Sequence, residues 1–228
     1  MAEITIQCTN GVKEVVLELL PAFQRASGHT LAPTYGASAA IVKNIKDGAH
    51  ADVVIVTSEA IADLASAGKV IAGSRNDLAR SFIGVAVRAG APHPDIATTQ
   101  ALKKALLDAK SVAYSRLGVS GIYLPTVLDR LGIADEITAK AVLPQGIPVG
   151  VAVARGEAEL GIQQISELLP VAGVEVVGPF PDDVQKVTIF SAALSTEAKD
   201  THAAQALIKF IAAGFTPAAL TKRGLEAA

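Results

Sequence analysis

Four stretches of the chain place small and hydroxyl-bearing residues at the start of a helix-type pattern. They are Thr9-Asn10-Gly11-Val12-Lys13, Tyr35-Gly36-Ala37-Ser38-Ala39-Ala40, Ser115-Arg116-Leu117-Gly118-Val119-Ser120-Gly121-Ile122-Tyr123 and Gln145-Gly146-Ile147-Pro148-Val149. The first turn of a helix exposes backbone N–H groups without an internal partner and carries partial positive charge. Small residues let an oxyanion reach those groups. Ser, Thr and Asn also cap helices throughout soluble proteins, so one such turn carries little information. Four of them, each directly behind a strand pattern, point to anion binding. None matches a phosphate-loop or dinucleotide fingerprint.

The elements that must hold these turns alternate between strand and helix periods. Glu3–Cys8 reads as a buried strand, and the run from Gly11 to about Ala26 reads as a helix carrying Val12, Val15, Val16, Leu19, Leu20 and Phe23 on one face. Leu31–Tyr35 and Asp52–Val56 read as strands, each followed by a helix (Ser38–Lys46, Ser58–Ala67). A βαβαβα opening implies a parallel sheet. Ligands of such sheets bind outside the carboxyl ends of the strands, where the four turns lie. Farther on, Arg80–Arg88 reads as one long strand, and Ser111–Tyr114, Leu160–Gln163, Val174–Val177 and Val187–Leu194 as others. Pro148 suits a first-turn position, where its missing N–H is harmless. Asp200–Ala213 and Pro217–Arg223 close the chain as helices. The pattern predicts an α/β fold of two lobes, each a mixed, mainly parallel sheet flanked by helices. Lobe 1 is residues 1–79 plus 195–228 and lobe 2 is residues 80–186, with strands 80–88 and 187–194 crossing between them as a hinge.

Composition narrows the function. Of 228 residues, 50% are hydrophobic but only 4% aromatic, so Ala, Val, Ile and Leu supply the core, as suits sheets covered by helices. A formal charge of -2 gives no footprint for nucleic acid. No run of about 18 apolar residues exists, so membrane insertion is not expected. The lone Cys8 excludes an internal disulfide and a Cys-based zinc site, and its apolar setting reads as a small buried hydrophobe. His29, His50, His93 and His202 share no metal-ligand spacing, and no cofactor is implied.

At the four turns the sequence resembles the molybdate-binding-protein-like family of type II periplasmic binding proteins. Ile4-Thr5-Ile6 with the turn behind it is similar to that family's first ligand loop. Tyr35-Gly36-Ala37-Ser38-Ala39-Ala40-Ile41, with Ile45-Lys46-Asp47-Gly48-Ala49-His50-Ala51-Asp52-Val53, is similar to its second. Ser120-Gly121-Ile122-Tyr123 with Leu131-Gly132, and Val153 to Ile162, resemble its second-lobe core. The resemblance implies two lobes closing on a small anion in the cleft between them. It places the site near Gly11, Ser38, Ser120, Gly146 and Gln164, with Asn10, Ala39, Ser115 and Gln145 alongside. The first-loop serine of molybdate binders falls at Gly11, and their closing tyrosine falls near Gln164, so two oxyanion contacts are missing. In their place stand Lys13 and Arg116, with amide and hydroxyl donors at Gln163, Gln164 and Ser166. Arg grips a carboxylate with two bonds and Lys adds a point charge, which suits a small di- or tricarboxylate; as surface residues, both would simply be solvated.

Three functions stay open at this stage. The first, narrowly ahead, is a monomeric solute receptor that hands a small anion to a membrane permease of an ABC transporter. The second follows from a resemblance to aconitate isomerase, an enzyme of the same fold that moves a proton within an unsaturated tricarboxylate. No catalytic residue is assigned for it, although Lys13, Tyr123, Ser38 and Ser120 are within the candidate set. The third is a cytoplasmic ligand sensor. The strand pattern begins at Glu3 with no leader ahead of it; the protein is expected in the periplasm if a leader was removed and in the cytoplasm otherwise.

Overall fold

The computed structural model describes residues 2–228 and divides into two compact units, Met1–Arg80 with Thr188–Ala228, and Ser81–Val187. In the first unit, β1 (Glu3–Thr9) leads through a short 3-10 turn (Asn10–Val12) into α1 (Lys13–Ser27). Then come β2 (Thr30–Gly36), α2 (Ser38–Lys46), β3 (Val53–Thr57), α3 (Ser58–Ser66) and β4 (Asn76–Ser81). The second unit holds β5 (Ile83–Arg88), α4 (Thr99–Asp108), β6 (Val112–Tyr114), α5 (Val119–Leu131), α6 (Ala134–Ala139) and β7 (Ala141–Val142). It continues with α7 (Val149–Ala154), β8 (Leu160–Gln164), α8 (Ile165–Leu168) and β9 (Val174–Pro179). The chain returns to the first unit as β10 (Thr188–Leu194), α9 (Thr201–Gly214), α10 (Pro217–Thr221) and β11 (Leu225–Ala227).

The first sheet has strand order β11-β4-β10-β3-β1-β2, and the second β7-β6-β8-β5-β9. β1 runs parallel to β2 and β3, and β6 runs parallel to β7 and β8, whereas β10 is antiparallel to β3 and β5 is antiparallel to both neighbours. β3 is buried along its whole length because helices cover both faces of the sheet, and its run of Val and Ile has no polar side. One core of the first unit packs Val15, Val16, Leu20 and Phe23 of α1 and Leu207, Ile208 and Ile211 of α9 against β1, β3 and β10. In the second unit, Leu102 and Leu106 of α4 and Leu124, Val127 and Leu128 of α5 pack on Val85, Val112 and Ile162. Gly28 ends α1 at φ 71 and Gly132 ends α5 at φ 64, the left-handed cap that releases a helix without a Cβ penalty.

Two expectations change. The apolar run over residues 80–88 is not one strand: it breaks at Phe82, with β4 in the first sheet and β5 in the second. Residues 187–194 likewise do not form a crossing strand. β10 lies wholly inside the first sheet between β4 and β3, so the first unit resumes at Thr188 and not at residue 195. Both differences come from partners distant in sequence, which the local apolar pattern does not encode. The first helix also starts later than its apolar pattern, at Lys13, because the tighter 3-10 turn occupies Asn10–Val12. Pro148 stands just outside α7 as its N-cap, with extended ψ 149.

Candidate functional site

In the first sheet, adjacent parallel strands β3, β1 and β2 end together at Thr57, Thr9 and Gly36. Asn10, Gly11, Lys13, Ser38 and Ala39 follow the ends of β1 and β2 and so share one edge of that unit. In the second sheet, adjacent strands β7, β6 and β8 end at Val142, Tyr114 and Gln164. There Ser115, Arg116, Ser120, Gln145, Gly146 and Gln164 share the corresponding edge. Every residue picked out from the sequence therefore lies at a carboxyl strand end of its own sheet, the ligand edge of open α/β folds.

Helix capping distinguishes these turns from four of the other helices. Thr57, Thr98, Asp200 and Thr216 cap α3, α4, α9 and α10 with a side-chain oxygen, as ordinary helices require. The starts at Asn10–Lys13, Ser38, Val119 and Val149 have no side-chain cap; the short α6 and α8 share this feature. In α2 the first N–H returned to the preceding turn is that of Ile41, bonded to the Ala37 carbonyl, and in α5 it is that of Ile122, bonded to the Gly118 carbonyl. The N–H groups ahead of them, at Ser38, Ala39 and Ala40 and at Val119, Ser120 and Gly121, are the unpaired donors of a helix start.

The side chains are arranged to leave those donors open. The N-cap position of α2 is Ala37, which has no side-chain oxygen, and Ser38 within the first turn donates its hydroxyl to Thr9 Oγ1 at 2.9 Å, both residues being buried. Lys13 places its ammonium 5.4 Å from the centre of the Tyr35 ring and has no carboxylate partner among the described residues. The Tyr35 hydroxyl is buried without a hydrogen-bond partner, and burial is the main reason its pKa is pushed up to about 12. It stays a neutral donor near neutral pH. Cys8, paired in register with Tyr35, is fully buried and its thiol pKa is pushed up by burial, which removes it as a nucleophile.

Gly11 is explained by packing. A Cβ there would lie 2.2 Å from the Phe190 ring, so a side chain at this position requires that ring to shift. Gly121 is more tightly constrained, since a Cβ would fall 1.7 Å from the Ser115 backbone carbonyl oxygen where the loop folds over α5. Gly146 is open around its Cα but holds φ 71, a left-handed turn that favours glycine.

In the second unit Arg116 is exposed and has no carboxylate partner among the described residues, while Ser120 is 1% exposed at the first turn of α5. Gln145 is exposed, and its amide reaches only the Leu143 carbonyl at 3.4 Å. Gln164 is fully buried, with its Oε1 accepting from Ser81 at 2.6 Å, and Ser81 lies 3.4 Å from Ser166. Tyr123 packs against the core beneath Lys186, 5.8 Å from its ring centre. No group of three or more His, Cys, Asp or Glu side chains that could hold a metal occurs among the described residues. The reading of the sequence passed over Thr9, Tyr35 and Ser81. Thr9 ends β1 and Tyr35 is the penultimate residue of β2, both in the turns already singled out, whereas Ser81 meets Gln164 only through the fold.

The model of the family described as bacterial extracellular solute-binding protein matches residues 4–226. The chain is 39% identical to aconitate isomerase of Pseudomonas sp over 229 residues, covering 98% of this chain and 87% of that protein. It is 26% identical to the molybdate-binding protein ModA of Escherichia coli K12 over 189 residues, 81% of this chain and 74% of that one. The solved periplasmic molybdate-binding protein of Azotobacter vinelandii superposes with a TM-score of 0.74 at 21% identity, covering 96% and 95% of the two chains. That last likeness concerns the fold.

Proposed function

The chain belongs to the bacterial extracellular solute-binding protein family, and from that premise we propose that its solute is a small di- or tricarboxylate. The observation that carries this reading is the set of open helix starts behind β1, β2, β6 and β7: those at Asn10–Lys13, Ser38, Val119 and Val149 lack side-chain caps, whereas α3, which follows β3 at the same edge as the first two, is capped by Thr57. Unpaired N–H groups and positive helix ends favour an anion. Lys13 and Arg116 add full charges suited to carboxylates spaced along a carbon chain. A molybdate-type serine at residue 11 would require the Phe190 ring to shift, which argues against a bare tetrahedral oxyanion.

The catalytic form of the reading rests on the 39% identity to aconitate isomerase. A base would take a proton from the methylene carbon of an unsaturated tricarboxylate, and the electron pair would delocalise into a dienolate held by the cations and amides. Return of a proton to the former vinylic carbon moves the double bond and leaves the atom count unchanged. Lys13 and the neutral Tyr35 phenol, side by side in the first unit, are the groups from which the proton carrier is drawn. The receptor form, favoured by the family, has the same ligand class delivered to a membrane permease from the periplasm, with the protein acting as a monomer.

One experiment separates the two forms. A thermal-shift screen of carboxylates and oxyanions identifies ligands; at a hundredfold excess over Kd a true ligand stabilises by about 2.7 kcal/mol. Hits are then incubated with the protein in D2O and followed by proton NMR. Deuterium entering cis- or trans-aconitate with interconversion supports the isomerase. Tight binding without exchange supports the receptor, and stabilisation by molybdate or sulfate alone overturns the carboxylate reading.

A further inference from the structure

Gln163, the penultimate residue of β8, is 6% exposed and points to the sheet face opposite Gln164. Its Nε2 donates to Glu167 Oε2 at 2.8 Å, one turn on in α8. Its Oε1 is buried and has no partner. An ionised carboxylate can only accept, so it satisfies one edge of the amide and leaves the other facing nothing. A neutral carboxylic acid satisfies both: its carbonyl accepts from the amide N–H, and its O–H donates to the amide oxygen.

Among the described residues no cation pairs with Glu167 to hold it ionised. α8 packs on β9, β5, β8 and α7. β8 and α7 carry no ionisable side chain. Arg155, at the C-cap of α7, is 3.8 Å from Glu157. Arg88 lies at the far end of β5, paired with Val174, whereas Gln163 pairs with Gly84 near its start. Glu175 of β9 lies at that same far end, opposite Val87, bonded to His93 and to the Gly90 N–H.

We propose that Glu167 is a proton-binding site, closed with Gln163 as a carboxylic acid–amide pair in the folded protein below neutral pH. The inference does not depend on the identity of the solute. Burial pushes the Glu167 carboxyl up to about 7 from its ordinary 4.5, against the opposing pull of the Gln163 bond. Because the folded value is raised, the stabilising contribution is complete below the ordinary value and is lost as pH rises through about 7. Above that pH the carboxylate has no proton to donate, and the Gln163 amide oxygen is left without a partner. The pair sits at the corner between β8 and α8, on the sheet face opposite Gln164.

The test needs no ligand. The full-length protein is labelled with 13C at the Glu side-chain carboxyl, and the Glu167 resonance is identified by its loss in Glu167→Gln. A midpoint within one unit of 7 is expected; a midpoint near the ordinary value overturns the proposal. In parallel, Tm is followed from pH 5 to pH 8. Gln at position 167 keeps both bonds at every pH, so the wild type should lose more Tm than the variant across this range, and coincident profiles count against the pair. If Glu167→Gln does not fold, Gln163→Leu retains the carboxyl and identifies the same resonance by its displaced shift.

Discussion

The ligand edges of the two units reach the same chemistry by different means. In the first, the parts are already paired: Ser38 with Thr9, Lys13 with the Tyr35 ring, and Gly11 pressed against Phe190. In the second, the backbone is fixed by Gly121 beneath the Ser115 carbonyl, but the charged arm is loose, with Arg116 exposed and unpaired by any carboxylate among the described residues. The contrast teaches that a charge can be seated in advance, as Lys13 is on Tyr35, or left to be ordered by the ligand, as Arg116 is. Ordering an exposed arginine on binding costs roughly 0.5–1.5 kcal/mol, a cost that a lysine already resting on an aromatic ring largely avoids.

The largest expected effect comes from Gly121→Ala. The atom in the way belongs to the backbone and cannot swing aside, so a loss of about 3–5 kcal/mol is expected in chemical denaturation, beyond the usual range for overpacking. Gly11→Ser meets a side chain, which can yield, and should lose about 1–3 kcal/mol. Adding Phe190→Leu should recover part of that loss; no recovery would break the packing account of Gly11.

A smaller effect sharpens the comparison itself. Lys13→Met and Arg116→Met should each weaken carboxylate binding by about 10–100-fold, as for charged hydrogen bonds of roughly 1.5–3 kcal/mol. Titration calorimetry should show the larger loss for Lys13; equal losses would mean that its prior seating on Tyr35 brings no advantage.

The smallest effect concerns pH and belongs to the first unit. Burial would raise the Asp52 carboxyl, but bonds from the Thr5 N–H and hydroxyl at 2.7 Å, and from the Lys199 N–H at 2.8 Å, hold it below 3.8. Its folded value is depressed, so its contribution is present above the unfolded value and is lost as pH falls through the folded one. Asp52→Asn should flatten the acid limb of a Tm profile, the opposite slope to that expected from Glu167.

Much of this was legible in the sequence. The turns at Ser38, Ser120 and Gly146 announce themselves by small residues directly behind strand patterns, and the alternation of periods implies the parallel sheets. The break at Phe82 was not legible, because apolar residues on both sides continue one pattern while their partners lie in different sheets. The reason for Gly11 was hidden too, since Phe190 arrives from the far end of the chain. The Tyr35 orphan hydroxyl and the Ser81–Gln164 bond depend on burial and on contacts between distant positions, which no local spacing reports.

The place of β10 between β4 and β3 has a consequence for biosynthesis. The first unit lacks a central strand of its sheet until residues 188–194 have been made, whereas Ser81–Val187 is an uninterrupted segment with its own sheet and core. A ribosome therefore completes the inserted half first, while the earlier segment waits with β3 unpaired on one side and prone to misassociation. Long-range strand pairing of this kind folds slowly, so refolding should show a fast phase from the insert and a slower one in which the outer half closes around its late-arriving strand.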